Sequence, residues 1–139
     1  MQREILFRGK RIDNGEWIYG DLFRDKDGNT YIQYWTENKE YRSYEVDPET
    51  VGQYTNSLDF DGQKIFEGDI GGILIDPDRN MDIVHYEVAF DTGEQGFLLY
   101  NGVYKCAIDL VDVSNGLGLV IIGNIYDNPE LLEVMENDK

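Results

Sequence analysis

The best metal candidate in this 139-residue chain is Asp76-Pro77-Asp78-Arg79-Asn80-Met81-Asp82. Asp76, Asp78, Asn80 and Asp82 fall at the first, third, fifth and seventh positions of an EF-hand pattern, and Glu87 falls at its twelfth. Calcium takes such hard oxygen donors. The sixth position needs glycine for the sharp turn of that loop, and here it is Met81. The flanking segments 70–75 and 83–90 also read as strands, not helices. The segment is expected to be a polar hairpin loop, and these five residues are a weak metal candidate only. No cofactor is expected.

Nucleophilic chemistry has little to work with. His85 is the one histidine, which excludes a histidine-rich metal site. A triad would need His85 with Cys106, Ser43, Ser57 or Ser114, and none of these stands in a nucleophile-elbow setting. His85 falls on the polar side of an alternating strand and is expected to face solvent. Cys106 is expected to be a small core residue. Carboxylates are so abundant that two close together would not indicate a glycosidase pair. Gly116, Gly118 and Gly123 lack the spacing of a dinucleotide loop, and no P-loop occurs. The reading is therefore of no catalytic residue and no enzyme.

Charge narrows the partners. The formal net charge is −16. Binding to DNA, RNA or anionic lipid releases counterions through basic surface, which this composition does not offer. The bases concentrate early: Arg3, Arg8, Lys10, Arg11, Arg24 and Lys26 all lie in the first 26 residues. A single cysteine forms no internal disulfide, which suits a reducing cytoplasm. No apolar run approaches the length of a membrane span, and the beginning of the chain lacks a signal-peptide core. The expected location is cytoplasmic.

The elements that must position these residues are strands. The pairs Asn14-Gly15, Asp27-Gly28, Asp61-Gly62, Asn101-Gly102 and Asn115-Gly116 favour the positive φ values of tight turns. Between them lie β-branched and aromatic runs. Strands are expected over 4–8, 16–23, 30–35 and 41–46, where Asp47-Pro48 stops the fourth. In the second, Trp17, Tyr19 and Phe23 share a face. In the third, Tyr31, Gln33 and Trp35 oppose Ile32 and Tyr34. Later strands are expected at 64–66, 70–75, 83–90 and 97–100. The segment 104–113 reads as strand or helical turn. The apolar run 119–126 is expected to be a central strand buried on both faces. Asn128-Pro129-Glu130 reads as a helix start, with Asn128 able to cap. The aromatic stripe Trp17, Tyr19, Tyr31, Tyr34 and Trp35 could stack bases. Without a cationic groove, core and subunit packing explains it better.

The expected fold is all-β in one domain over 1–139. An antiparallel sheet occupies 1–50, a small SH3-like barrel 60–127 and a short helix 128–137, with a polar boundary at 47–62.

Three blocks of sequence carry a family resemblance. The first is Arg3-Glu4-Ile5-Leu6-Phe7-Arg8 with Trp17-Ile18-Tyr19-Gly20-Asp21-Leu22. The second is Thr50-Val51-Gly52-Gln53-Tyr54-Thr55 with Gly62-Gln63-Lys64-Ile65-Phe66-Glu67-Gly68-Asp69-Ile70. The third is Val120-Ile121-Ile122-Gly123-Asn124-Ile125-Tyr126-Asp127-Asn128-Pro129-Glu130. In this order they resemble the YopX family of phage and prophage proteins. The middle block departs from the usual pattern at Asn56-Ser57-Leu58-Asp59-Phe60, where Phe60 is expected to pack in place of a polar residue. The resemblance implies a mostly β fold and a phage or prophage origin, and brings no catalytic residue. Gly52, Gln53, Tyr54, Gly68, Asp69, Gly123 and Asn124 are expected to specify the fold.

The functional expectation is an accessory protein that binds an unknown phage or host protein and self-associates. One alternative is an acidic mimic of DNA directed at a host DNA-binding or restriction protein. Another is a metal-dependent enzyme using the 76–87 segment or a cleft around Asp69.

Overall fold

The computed structural model describes residues 3–76, 81–93, 95–101, 106–109 and 118–132. The chain is mostly β, as its turn pairs and β-branched runs require. It divides into two compact units, 1–54 and 55–139. The division falls inside the 47–62 stretch, which is not merely a polar boundary: it contains a strand.

The first unit contains β1 (Phe7–Lys10), β2 (Trp17–Arg24), β3 (Thr30–Trp35) and β4 (Tyr41–Glu45), and the opening of β5 (Gly52–Leu58). The order is β4-β3-β2-β1-β5 and every pairing is antiparallel. The first strand starts at Phe7, later than expected. Gly15 and Gly28 hold φ values of 74° and 87°, so the Asn-Gly and Asp-Gly pairs make the turns their chemistry favours. After β4, Asp47 accepts the Glu49 N–H at 3.0 Å and caps a 3-10 turn, Pro48–Thr50. Thr50 then accepts the Lys10 N–H at 2.9 Å, which fixes that turn against β1.

Ile18, Ile32 and Val46 form this unit's core, with Phe7, Leu22, Tyr34, Tyr44 and Val51 around it. Tyr34 therefore leaves the expected aromatic stripe: it lies on the core side, 6.4 Å from the Tyr44 ring. The Thr30 hydroxyl is buried and has no hydrogen-bond partner among the described residues.

The second unit takes up the rest of β5, with β6 (Lys64–Phe66) beside it. Its main sheet has the order β10-β9-β8-β7-β11. These strands are β7 (Asp69–Asp76), β8 (Met81–Asp91), β9 (Gly96–Asn101), β10 (Cys106–Asp109) and β11 (Val120–Asn124). All neighbours are antiparallel. Among the described residues the sheet does not close into a barrel. The ambiguous 104–113 segment is a strand where it is described; Cys106 is placed in β10, and the core role expected for its side chain lies outside what the structure describes. Of the later turn pairs, Gly102 and Asn115-Gly116 also lie outside the described residues.

Ile65, Ile73, Tyr86, Val88, Leu99 and Leu119 form the second core. The apolar run 119–126 corrects one expectation. Among the described residues its strand β11 pairs with β7 alone, with a register shift between Ile121 and Gly123, and Ile122 is exposed. Among the described residues Leu119 and Ile121 serve the core; an all-apolar run does not reveal its alternation.

Gly71 shows how tightly β11 is seated. A Cβ placed there would collide with the Leu119 side chain, which is itself 1% exposed and has no room to move. Gly71→Ala should cost about 1–3 kcal/mol through overpacking, read as a lower urea midpoint with an unchanged slope. Thr30→Val should be neutral or stabilising, because it replaces a buried hydroxyl that lacks a partner with a methyl of similar size.

Candidate functional site

Side chains alternate across a strand, so a sheet that buries one face presents the other. In the first unit the buried set uses even positions of β2 and β3, among them Ile18 and Ile32. The odd positions carry rings. Phe23 stands opposite Tyr31, and Trp35 opposite Tyr41. Their ring centroids are 5.3 and 5.4 Å apart. Tyr19 lies on the same face, two residues before Asp21.

A polar row runs between these rings: Asp21 opposite Gln33, and Gln33 opposite Ser43. The Tyr41 hydroxyl donates to Gln33 Oε1 at 2.7 Å. Trp35 is 69% exposed, Tyr41 49%, Tyr19 46% and Phe23 43%. Of the stripe expected to serve core and subunit packing, Tyr19 and Trp35 are thus not core residues. The Tyr31 hydroxyl is pushed above its ordinary value, first by desolvation and then by the Asp25 and Glu45 carboxylates.

The face is also polarised in charge. Arg8 and Lys10 sit at its β1 side, 4.7 and 5.5 Å from the Trp17 ring centroid. Asp21 and Glu45 stand exposed farther across. The face thus combines large rigid rings with hydrogen-bonding groups between them.

One cleft of about 430 Å³ opens nearby, lined by Lys10, Arg11, Ile12, Gly15, Asp47 and Pro48. Its Arg11 already pairs with Asp13 at 2.6 and 2.9 Å and stacks 3.8 Å over the Tyr44 ring. That charge is satisfied within the fold.

The residues expected to specify the fold take up backbone positions. In the first unit, Gly52 pairs with Arg8 and Gln53 with Phe7, and the Tyr54 N–H donates to the Leu6 carbonyl at 2.8 Å. In the second, Gly68 turns with φ 93° and donates its N–H to the Val88 carbonyl at 2.8 Å. Asp69, 3% exposed, accepts the Phe66 N–H at 2.7 Å. Asp69 and Asn124 are register partners. Asn124 Oδ1 accepts the N–H groups of Tyr126 and Asp127 at 3.0 and 2.9 Å. Gly123 has no side chain because Asn128 Oδ1 would lie 2.5 Å from its Cβ. That Asn128 oxygen accepts the Asn124 N–H at 3.2 Å, so it closes the preceding turn and does not cap the helix; the Asn128 carbonyl receives the Leu131 N–H.

The roles of two residues, Asp59 and Asn101, left no clear mark in the sequence. Asp59 is 5% exposed. Its Oδ1 accepts the Asp61 and Gln63 N–H groups at 2.9 and 2.8 Å, and its Oδ2 accepts the Ile121 N–H at 3.0 Å. It ties the 59–63 turn to β11. Phe60 beside it is 74% exposed, which corrects the expectation that it packs: the aspartate anchors this turn, and the ring projects from it. Asn101, 1% exposed, donates to the His85 carbonyl at 2.7 Å. His85 is partly buried and does not simply face solvent. Its Nδ1 lies 2.7 Å from the Leu131 carbonyl, so the Nδ1–H tautomer docks the helical turn at 130–132 onto the sheet. The remainder of the expected helix lies outside the described residues.

The metal candidate does not assemble as an EF-hand. Asp76 pairs with Met81 in the β7–β8 ladder, so strands and not helices flank the segment. Asp78 and Asn80 lie outside the described residues. Glu87 sits farther along the same extended strand as Asp82, roughly 16 Å away at the usual rise per residue. It lies opposite Ile70 and Tyr100. Burial alone pushes the Glu87 carboxyl above its ordinary value.

The sequence profile of the family described as "YopX protein" matches residues 6–133. The chain belongs to the YopX family. Among solved structures, this YopX protein is similar to the crystal structure of protein EF1440 from Enterococcus faecalis. The TM-score is 0.59 at 20% identity, over 94% of this chain and 99% of that one. Likeness at that identity concerns the fold. No curated protein matches the chain.

Two outcomes follow. Asp59→Ala strips an acceptor from three backbone N–H groups and should cost about 3 kcal/mol in urea unfolding, while Phe60→Ala should change little. Glu87→Gln should raise the melting temperature at pH 7. A raised folded pKa favours the protonated form, so the native carboxylate costs stability as pH climbs through that value. The gain should vanish when both proteins are compared below the ordinary carboxyl pKa.

Proposed function

We propose that this YopX protein is a non-enzymatic phage or prophage accessory protein that acts by binding another protein. The observation that carries the reading is the ring-bearing face of the first sheet. Exposed aromatic side chains at this density cost solvation, and large exposed apolar patches on soluble proteins mark interaction sites. Hot spots of protein interfaces are rich in tryptophan and tyrosine for the same reason. Self-association belongs to the proposal, as does a cytoplasmic location. The family resemblance supports the phage or prophage origin.

A second reading has its own support in the net charge of −16. An acidic protein can occupy the nucleic-acid cleft of a host DNA-binding or restriction protein. The two readings differ in salt dependence. A contact made by rings resists salt, whereas a contact made by a row of carboxylates weakens steeply with it.

The test is capture of partners by the tagged protein from host cells carrying the phage or prophage, at low and high salt, with the native chain and Trp35→Ala/Tyr41→Ala. The proposal expects a stoichiometric partner that the native chain retains at high salt and that the double variant loses at an unchanged melting temperature. Capture by both proteins that disappears with salt would favour acidic mimicry. Equal capture at both salts would take the function away from this face.

A further inference from the structure

We infer that the ring-bearing face of the first sheet binds an arginine-rich segment of the partner protein. The inference rests on the protein-binding reading and deepens it.

The fold has already used the cations of this face. Arg8 is 5% exposed and lies with Lys10 over the Trp17 ring. The charges left at the surface are Asp21 and Glu45, both carboxylates. They stand beside the exposed rings, Asp21 between Tyr19 and Phe23 on β2, and Glu45 opposite Tyr31. An uncharged apolar partner would desolvate two carboxylates without compensation, which is costly. A nucleic acid or an acidic partner would be repelled.

A guanidinium meets both demands at once. It stacks flat on a ring and donates two parallel hydrogen bonds to a carboxylate. An ammonium is more strongly hydrated and stacks less well. The unit already contains the first half of this contact twice, in Arg8 over Trp17 at 4.7 Å and Arg11 over Tyr44 at 3.8 Å. The chain's charge of −16 adds long-range attraction that speeds encounter without choosing arginine over lysine. The rings make that choice.

The probes are two labelled short peptides, one alternating arginine and glycine and the other lysine and glycine, followed by fluorescence anisotropy with the full chain. The native protein should bind the arginine peptide about tenfold more tightly than the lysine peptide. Trp35→Ala/Tyr41→Ala should abolish the preference and leave a weak, salt-sensitive affinity for both. Asp21→Asn/Glu45→Gln should weaken both peptides, whereas Asp61→Asn, on the other unit, should change neither. Equal binding of the two peptides by the native chain, or a preference that survives loss of the rings, overturns the inference. Self-association abolished by Trp35→Ala/Tyr41→Ala would overturn it too, since a second copy would then own the face. If the arginine preference is absent but the double variant still loses its cellular partner, the face binds protein of another chemistry. In that case the inference falls and the proposed function stands. If the cellular partner is also retained, both fall.

Discussion

A β-strand shows alternate side chains to opposite faces, and across β2, β3 and β4 the first unit leaves one of them largely open. Everything notable about this unit follows from that constraint. Ile18, Ile32 and Val46 use the buried face completely, and Tyr34 and Tyr44 close its margin. The rings at odd positions then have nowhere to go but outward. Phe23 with Tyr31, tilted, and Trp35 with Tyr41, edge to face, shelter each other, which recovers part of the solvation cost. Aromatic cross-strand pairs suit a sheet in themselves, so it is the exposure of these rings, not their presence, that the proposed contact surface rests on.

The second unit is governed by a different demand, the satisfaction of backbone groups at tight turns. Its acceptors are short side chains reaching back: Asp59 to three N–H groups, Asp69 to Phe66, Asn124 to Tyr126 and Asp127, Asn128 to Asn124. Residues that look reactive on paper are here engaged as backbone acceptors. The family's motif positions are explained by the same bookkeeping, including Gly123, which yields its space to the Asn128 side chain.

The strands, their turns and the mainly β class were legible because hairpin signals and period-two patterns are local. The Asn14-Gly15 and Asp27-Gly28 turns needed no tertiary information. The opposition of Tyr31, Gln33 and Trp35 to Ile32 and Tyr34 was equally plain. What the sequence could not reveal was which face would be covered, since rings suit a core and a surface contact alike. Nor could it place β11, where an apolar run hides its alternation, or show that β5 crosses the stretch that read as a polar boundary. Asp59 was hidden for another reason. Its partner Ile121 lies far along the chain, and only the turn half of its role, toward Asp61 and Gln63, leaves a local trace.

The central claim is that the outward ring face of the first sheet is where this protein works. The most direct measurement places a photo-crosslinking phenylalanine analogue at Tyr41 in one protein and at Phe60 in another, then irradiates host cells that carry the phage or prophage. Both positions are exposed aromatic sites, and they lie on different units. The account predicts a discrete cross-linked protein from position 41 and none from position 60. Adducts from position 60 alone, or the same adducts from both, would contradict it.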